Sequence, residues 1–139
     1  GWMYQEVFKQ TEELGLKDRV KFTGYMSQDD LPIVYNLASL FVYPTRYEGF
    51  GFPALEAMAC GTPVVTTNVS SLPEIVGDAG MLVPSDNEQA LTGAILEVLS
   101  DSTLYDRLRL KGLQRAEHFT WERTARETLK VYQHVLKGI

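Results

Sequence analysis

The apolar positions of the chain fall into short clusters separated by polar stretches of helical period. Over residues 2–14, Met3, Val7 and Leu14 recur among Glu6, Lys9, Gln10, Glu12 and Glu13, a spacing that predicts a helix closed by Gly15. Val20-Lys21-Phe22-Thr23 predicts a short strand ended by Gly24. Asp29 and Asp30 then offer N-terminal carboxylates to a helix through Leu31, Val34, Tyr35 and Leu37. Leu40-Phe41-Val42-Tyr43 predicts a buried strand stopped by Pro44, and residues 53–61 a compact helix with proline inside its start and glycine past its end. Pro63-Val64-Val65-Thr66-Thr67 follows as a strand, residues 72–76 as a helical turn, and Met81-Leu82-Val83 as a last strand before Pro84. Helices over residues 88–99, 104–117 and 122–136 complete the pattern, the last with Thr120 as N-cap.

Helices alternating with apolar strands that lack clean period-2 patterning imply an α/β, Rossmann-like parallel sheet covered on both faces. Such sheets bind ligands beyond the C-terminal ends of their strands. Function is therefore expected in the loops 24–28, 45–52 and 68–71.

Composition narrows the partners. Thirteen Lys and Arg against eighteen Asp and Glu leave a net charge of −5 over 139 residues, the wrong sign for a surface that neutralises nucleic-acid phosphates. Cys60 stands alone, and two histidines with one cysteine cannot form the usual zinc site, so a reducing, cytoplasmic setting without a metal is expected. No apolar run approaches the ~18 residues that span a bilayer. The start Gly1-Trp2-Met3-Tyr4 has neither the look of a signal peptide nor an initiator methionine, and reads as a start in mid-protein.

The run Glu48-Gly49-Phe50-Gly51-Phe52-Pro53-Ala54-Leu55-Glu56 concentrates the candidate chemistry. Two glycines allow a close backbone approach to a ligand. The helix that follows points unpaired N–H groups and a positive dipole end at whatever lies before it, a seat for phosphate. Glu56 is the only charge between Pro53 and Gly61 in a helix otherwise of Ala, Leu, Met and Cys, expected to be buried nearly all round, where a charge needs a partner or a cleft. Gly49, Gly51 and Ala54 also match the dinucleotide pattern G-x-G-x-x-A, but Thr66-Thr67-Asn68 at the next strand end lacks the acid that holds a ribose there. A plainer alternative makes Glu48 a solvated loop residue and Glu56 an acid that compensates the helix dipole.

This segment resembles the donor-binding signature of retaining, nucleotide-sugar-dependent glycosyltransferases of family four, which have the GT-B fold. There two glutamates separated by seven residues flank a G-F-G-like loop, as Glu48 and Glu56 do here. The likeness extends through Arg19-Val20-Lys21-Phe22-Thr23-Gly24, Leu40-Phe41-Val42-Tyr43-Pro44, Glu56-Ala57-Met58-Ala59-Cys60-Gly61-Thr62-Pro63-Val64-Val65 and Phe119-Thr120-Trp121. Ser70-Ser71-Leu72-Pro73-Glu74, with Gly1-Trp2, looks most like bacterial and archaeal mannosyltransferases.

The resemblance implies transfer of a hexose, mannose foremost, from a GDP- or UDP-sugar to a glycan or lipid-linked acceptor with retention at the anomeric carbon and without a cofactor or metal. Glu56 would accept from the ribose hydroxyls, and Glu48 would contact the donor sugar as the catalytic candidate. The N–H groups of Phe50, Gly51 and Phe52, beside Gly49, would face sugar hydroxyls and diphosphate, and backbone groups at Tyr25 and Met26 would hold the base. The chain would be a partial C-terminal domain without its first two strands and without the N-terminal acceptor domain, through which alone a membrane would be met. Its diphosphate-gripping Arg and Lys are not identified with Lys17, Arg19 or Lys21. A stand-alone nucleotide-binding or interaction module without transferase activity is the competing reading. Of the other polar residues, His118 and His134 read as surface or packing groups, Cys60 as a small buried hydrophobe, Ser70, Ser71 and Glu74 as loop and cap residues, and Trp121 as a core anchor of the closing helix.

Overall fold

The computed structural model describes residues 4–138. Trp2 and Met3, assigned above to the first helix, and the Gly1-Trp2 pair lie outside the described residues. Helix α1 runs Tyr4–Glu13 and α2 Leu31–Leu37; strand β1 is Phe41–Tyr43, followed by α3 at Phe52–Ala59 and β2 at Val64–Thr67. Helix α4, Leu72–Val76, passes into a 3-10 turn at Gly77–Ala79 and then β3, Met81–Val83; α5 at Glu88–Ser100, α6 at Ser102–Ala116 and α7 at Trp121–Lys137 close the chain.

The sheet is parallel in the order β1-β2-β3, with Val42 beside Val65 and Thr66 beside Leu82. β2 is central and buried at all four positions. Its alternate side chains divide the core. Val64 packs with Ala57, Met58, Leu72, Ile75 and Val76 of α3 and α4, while Val65 packs with Ala94, Val98, Leu104 and Leu108 of α5 and α6. Both faces are therefore covered, as a parallel sheet requires. Gly112 lets α6 close on α3, since a Cβ there would stand 3.3 Å from Met58 Cγ.

The ends of α3 follow the residue pattern. Pro53 sits in its first turn, and past its end Gly61, at φ +75°, donates its N–H to Met58 O at 2.9 Å while Thr62 donates to Ala57 O at 2.9 Å, a Schellman closure. Asn87, Asp101 and Thr120 cap α5, α6 and α7 through side-chain oxygens.

Several expectations are corrected. Val20 to Thr23 form no strand: no other described segment pairs with them, and Val20 and Phe22 stand exposed, with the Phe22 ring 4.1 Å from that of Phe8 in α1 and tilted 37° to it. The Leu40 strand begins at Phe41 and is half-buried, because among the described residues β1 has one neighbour and forms an edge. Asp30 does not cap α2; its carboxylate accepts from the Ser27 hydroxyl at 2.7 Å. Cys60 is half-buried. Trp121 is 77% exposed and anchors no core, and no residue of α7 among those described is buried. His118 and His134 are exposed, as expected. No helix among the described residues is long and apolar enough to cross a membrane.

Two outcomes test this packing. A Cβ at Gly80 would fall 2.6 Å from Val76 Cγ1 and 2.8 Å from the Val64 carbonyl, which belongs to the sheet and cannot yield. Gly80→Ala is expected to destabilise the protein by about 1–3 kcal/mol, read as a lowered midpoint in denaturant; an unchanged midpoint contradicts the tight β2–β3 crossover. The 139-residue chain alone, with the edge of β1 and the apolar side chains of α1 and α7 exposed, is expected to self-associate with rising concentration in sedimentation velocity. A monomer at every concentration would show that these surfaces are not adhesive.

Candidate functional site: the glycine-turn loop and its two glutamates

Strand β1 ends at Tyr43, and the chain turns through Pro44 and Thr45 onto the C-terminal edge of the sheet. Hydroxyls from β2 fasten this exit: Thr66 Oγ1 donates to Tyr43 O at 2.7 Å and Thr67 Oγ1 to Thr45 O at 2.6 Å. The loop 45–51 is then tied to the β2–α4 connection. Ser71 Oγ lies 3.1 Å from Glu48 O and 2.8 Å from Phe50 O, and the Glu48 N–H points at Ser70 Oγ at 3.5 Å. Ser71 occupies the N-cap position of α4 but makes no side-chain cap; its hydroxyl donates to the loop. Ser70 adopts φ +50°, a left-handed conformation unusual for a residue with a Cβ. On the far side, Arg46 pairs with Asp86 of the β3–α5 loop at 2.7 Å.

Gly51 makes the turn into α3. Its φ of +107° lies where L side chains rarely go, and a Cβ would sit 3.0 Å from Leu72 Cδ2. This turn joins Glu48, Gly49, Phe50, Gly51, Phe52 and Glu56 into one unit on the sheet edge, as the sequence reading expects.

The two carboxylates have different surroundings. Half-buried Glu48 accepts from the Tyr43 hydroxyl at 2.5 Å through Oε2 and from the Phe50 N–H at 3.3 Å through Oε1. These donors, the Tyr43 hydroxyl first, hold its carboxyl below the usual value, and the same bond pushes Tyr43 up to about 12. Glu56 instead projects from the exposed face of α3. α3 is thus not buried all round: Ala54, Ala57 and Met58 face the core, while Phe52, Glu56 and Ala59 are exposed. Glu56 lies between two grooves, both of which it lines. The larger, about 1050 Å³, includes Phe50, Phe52, Glu74, Arg115 and Trp121; the smaller, about 410 Å³, includes Gln28, Leu31, Tyr35 and Cys60. The buried Tyr35 donates its hydroxyl to Glu56 Oε2 at 3.2 Å, and burial, with Glu56 beside it, raises Tyr35 to about 12.

The loop with Tyr25 and Met26 is less closely joined to this unit. Tyr25 is 93% exposed, Met26 half-buried, and only Gln28 beyond them reaches the groove beside Glu56. Among the described residues no three His, Cys, Asp or Glu gather as a metal site. Three participants escape the sequence reading, Tyr35, Tyr43 and Arg115, while Ser71, read there as a loop or cap residue, ties the loop. The tyrosines are hidden in apolar runs, and their one signal is a polar tip placed near the C-terminal edge of the sheet. Arg115 crosses from α6 to donate to the carbonyls of Glu74 and Ile75 and lies 5.5 Å over the Phe119 ring, closing the floor of the larger groove.

Comparisons with known proteins give the chain a family and a shared fold. O-antigen chain mannosyltransferase B of Escherichia coli is 42% identical over 96% of this chain and 35% of its own length. A sucrose-phosphate synthase from Thermosynechococcus elongatus superposes with a TM-score of 0.85 at 34% identity, covering 97% of this chain and 35% of that one. HepE of Anabaena, in complex with UDP and glucose, superposes with a TM-score of 0.81 at 26% identity, covering 97% of this chain and 36% of that one. The chain therefore spans about a third of the length of these relatives. The profile of the glycosyl transferases group 1 matches residues 1–115, and with a parallel sheet shared with GT-B glycosyltransferases the chain belongs to that family.

Proposed function

We propose that this chain forms the donor side of a retaining hexosyltransferase that uses a nucleoside-diphosphate sugar. The observation that carries the reading is the Gly51 turn, which sets Glu48 before α3 and Glu56 on its exposed face, beside open grooves on the C-terminal edge of a parallel sheet. Glu56 accepts from the vicinal ribose hydroxyls, two oxygens meeting two donors. Glu48 contacts the donor sugar. The loop N–H groups and the α3 N-terminus face the diphosphate and stabilise the charge that develops as it departs. The backbone at Tyr25 and Met26 holds the base. Mannose is the hexose favoured, on the likeness to a mannosyltransferase, and the glycan or lipid-linked acceptor binds in the part of such proteins that this chain does not span.

The glutamates separate by experiment. In the full-length protein Glu56→Ala is expected to weaken both UDP or GDP and the intact donor by about one to two decades, the effect of removing a charge-assisted hydrogen bond. Glu48→Ala is expected to act on the intact donor and on turnover and to leave the sugar-free nucleotide nearly unaffected. Calorimetry with UDP, GDP and their mannose conjugates distinguishes the cases, and equal losses on the sugar-free nucleotide overturn the division. Because backbone N–H groups meet the diphosphate in this reading, transfer is expected to persist in EDTA. Loss of turnover that only a divalent ion restores would contradict it.

A further inference from the structure

Each glutamate of the site is met by a tyrosine hydroxyl from an element earlier in the chain. Tyr43 at the end of β1 donates to Glu48 Oε2, and Tyr35 on α2 donates to Glu56 Oε2. Phe41 stands between the two tyrosines, edge-on to the Tyr35 ring at 5.3 Å and stacked on Tyr43 at 5.9 Å with an interplanar angle of 20°. Three rings thus connect one carboxylate to the other. The backbone beneath them is fixed as well. The Thr62 hydroxyl donates to Tyr35 O at 2.6 Å, and that of Thr66 to Tyr43 O at 2.7 Å.

We propose that Tyr43 and Tyr35 are positioning residues, Tyr43 for the sugar-facing carboxylate of Glu48 and Tyr35 for the ribose-facing carboxylate of Glu56, held in register by Phe41. The proposal rests on the donor-site reading above. A glutamate free to rotate must lose its rotamer freedom when the donor arrives, and one already oriented by a fixed hydroxyl loses less. The Tyr43 hydroxyl meets Oε2 and the Phe50 N–H meets Oε1, so both oxygens of Glu48 are held in place.

The pH behaviour of Glu48 separates positioning from packing. The groups that face the Glu48 carboxylate are the Tyr43 hydroxyl of β1 and the N–H groups of Gly49, Phe50 and Gly51 in its own loop, while the hydroxyls of Ser70 and Ser71 before α4 meet only its backbone N–H and carbonyl. Arg46 in the same loop is engaged by Asp86. Tyr43 is the first cause of the lowered Glu48 value. The ionised form is favoured above the ordinary carboxylate range and is lost as pH falls through the lowered folded value; without the hydroxyl that loss begins at higher pH.

The test uses Tyr43→Phe, Tyr35→Phe and Glu48→Ala in the full-length protein, since Phe keeps the stacked rings and removes only the hydroxyl. For Tyr43→Phe, kcat with UDP- or GDP-mannose is expected to fall about fivefold, the acid limb of the kcat profile to move to higher pH, and the affinity for free UDP or GDP to stay. For Tyr35→Phe, free UDP or GDP is expected to bind about fivefold more weakly with the acid limb unmoved. A carbon-13 NMR titration of the Glu48 carboxyl in Tyr43→Phe is expected to show a raised midpoint. An unmoved acid limb with an unmoved midpoint overturns the role of Tyr43, and unchanged nucleotide affinity in Tyr35→Phe overturns that of Tyr35. If Glu48→Ala keeps full turnover, the donor-site reading fails, and the NMR midpoint alone then decides whether Tyr43 holds Glu48.

Discussion

The left-handed turn at Gly51 is the constraint on which the rest of the site depends. A φ of +107° directs the chain from the sheet edge into α3, a conformation that L side chains rarely adopt, and an added Cβ would press on Leu72 Cδ2 at 3.0 Å. On one side of the turn lies Glu48, fixed by Tyr43 and the Phe50 N–H; on the other lies Glu56, a little over one helical turn into α3. The spacing of the two carboxylates is thus a property of one backbone geometry, with Leu72 of the core as its backstop.

Hydroxyl groups convert that geometry into a rigid edge. Thr66 and Thr67 fix the exit of β1, and Ser71 fixes the loop at two carbonyls. Each donates to a backbone carbonyl of a neighbouring segment, which ties the loop after β1 to β2 and to the loop after it. The arrangement has a local cost, since α4 begins without a side-chain cap and Ser70 takes a left-handed conformation. Backbone strain placed beside the glutamates is consistent with selection for position over local stability.

Much of this was legible in the residues. The elements from α2 onward, the parallel sheet, the proline and glycine at the ends of α3 and the loop with its two glutamates follow from local pattern and short-range sterics. What sequence could not convey depends on contacts between distant segments. Val20 to Thr23 have the composition of a strand, but a strand exists only with a partner, and none of the described residues supplies one. Trp121 has the size and apolarity of a core residue, yet no described residue of α7 is buried. Tyr35 and Tyr43 look like apolar filler until the fold carries their hydroxyls to glutamates 21 and 5 residues further on.

The most direct measurement is a crystal structure of the full-length protein with a bound nucleoside diphosphate. The ribose hydroxyls are expected within about 2.5–3.0 Å of the Glu56 carboxylate, with the diphosphate before the N-terminus of α3 and the base toward the loop of Tyr25 and Met26. A nucleotide seated elsewhere, or one whose ribose makes no contact with Glu56, would contradict the assignment of this loop and helix as the donor site.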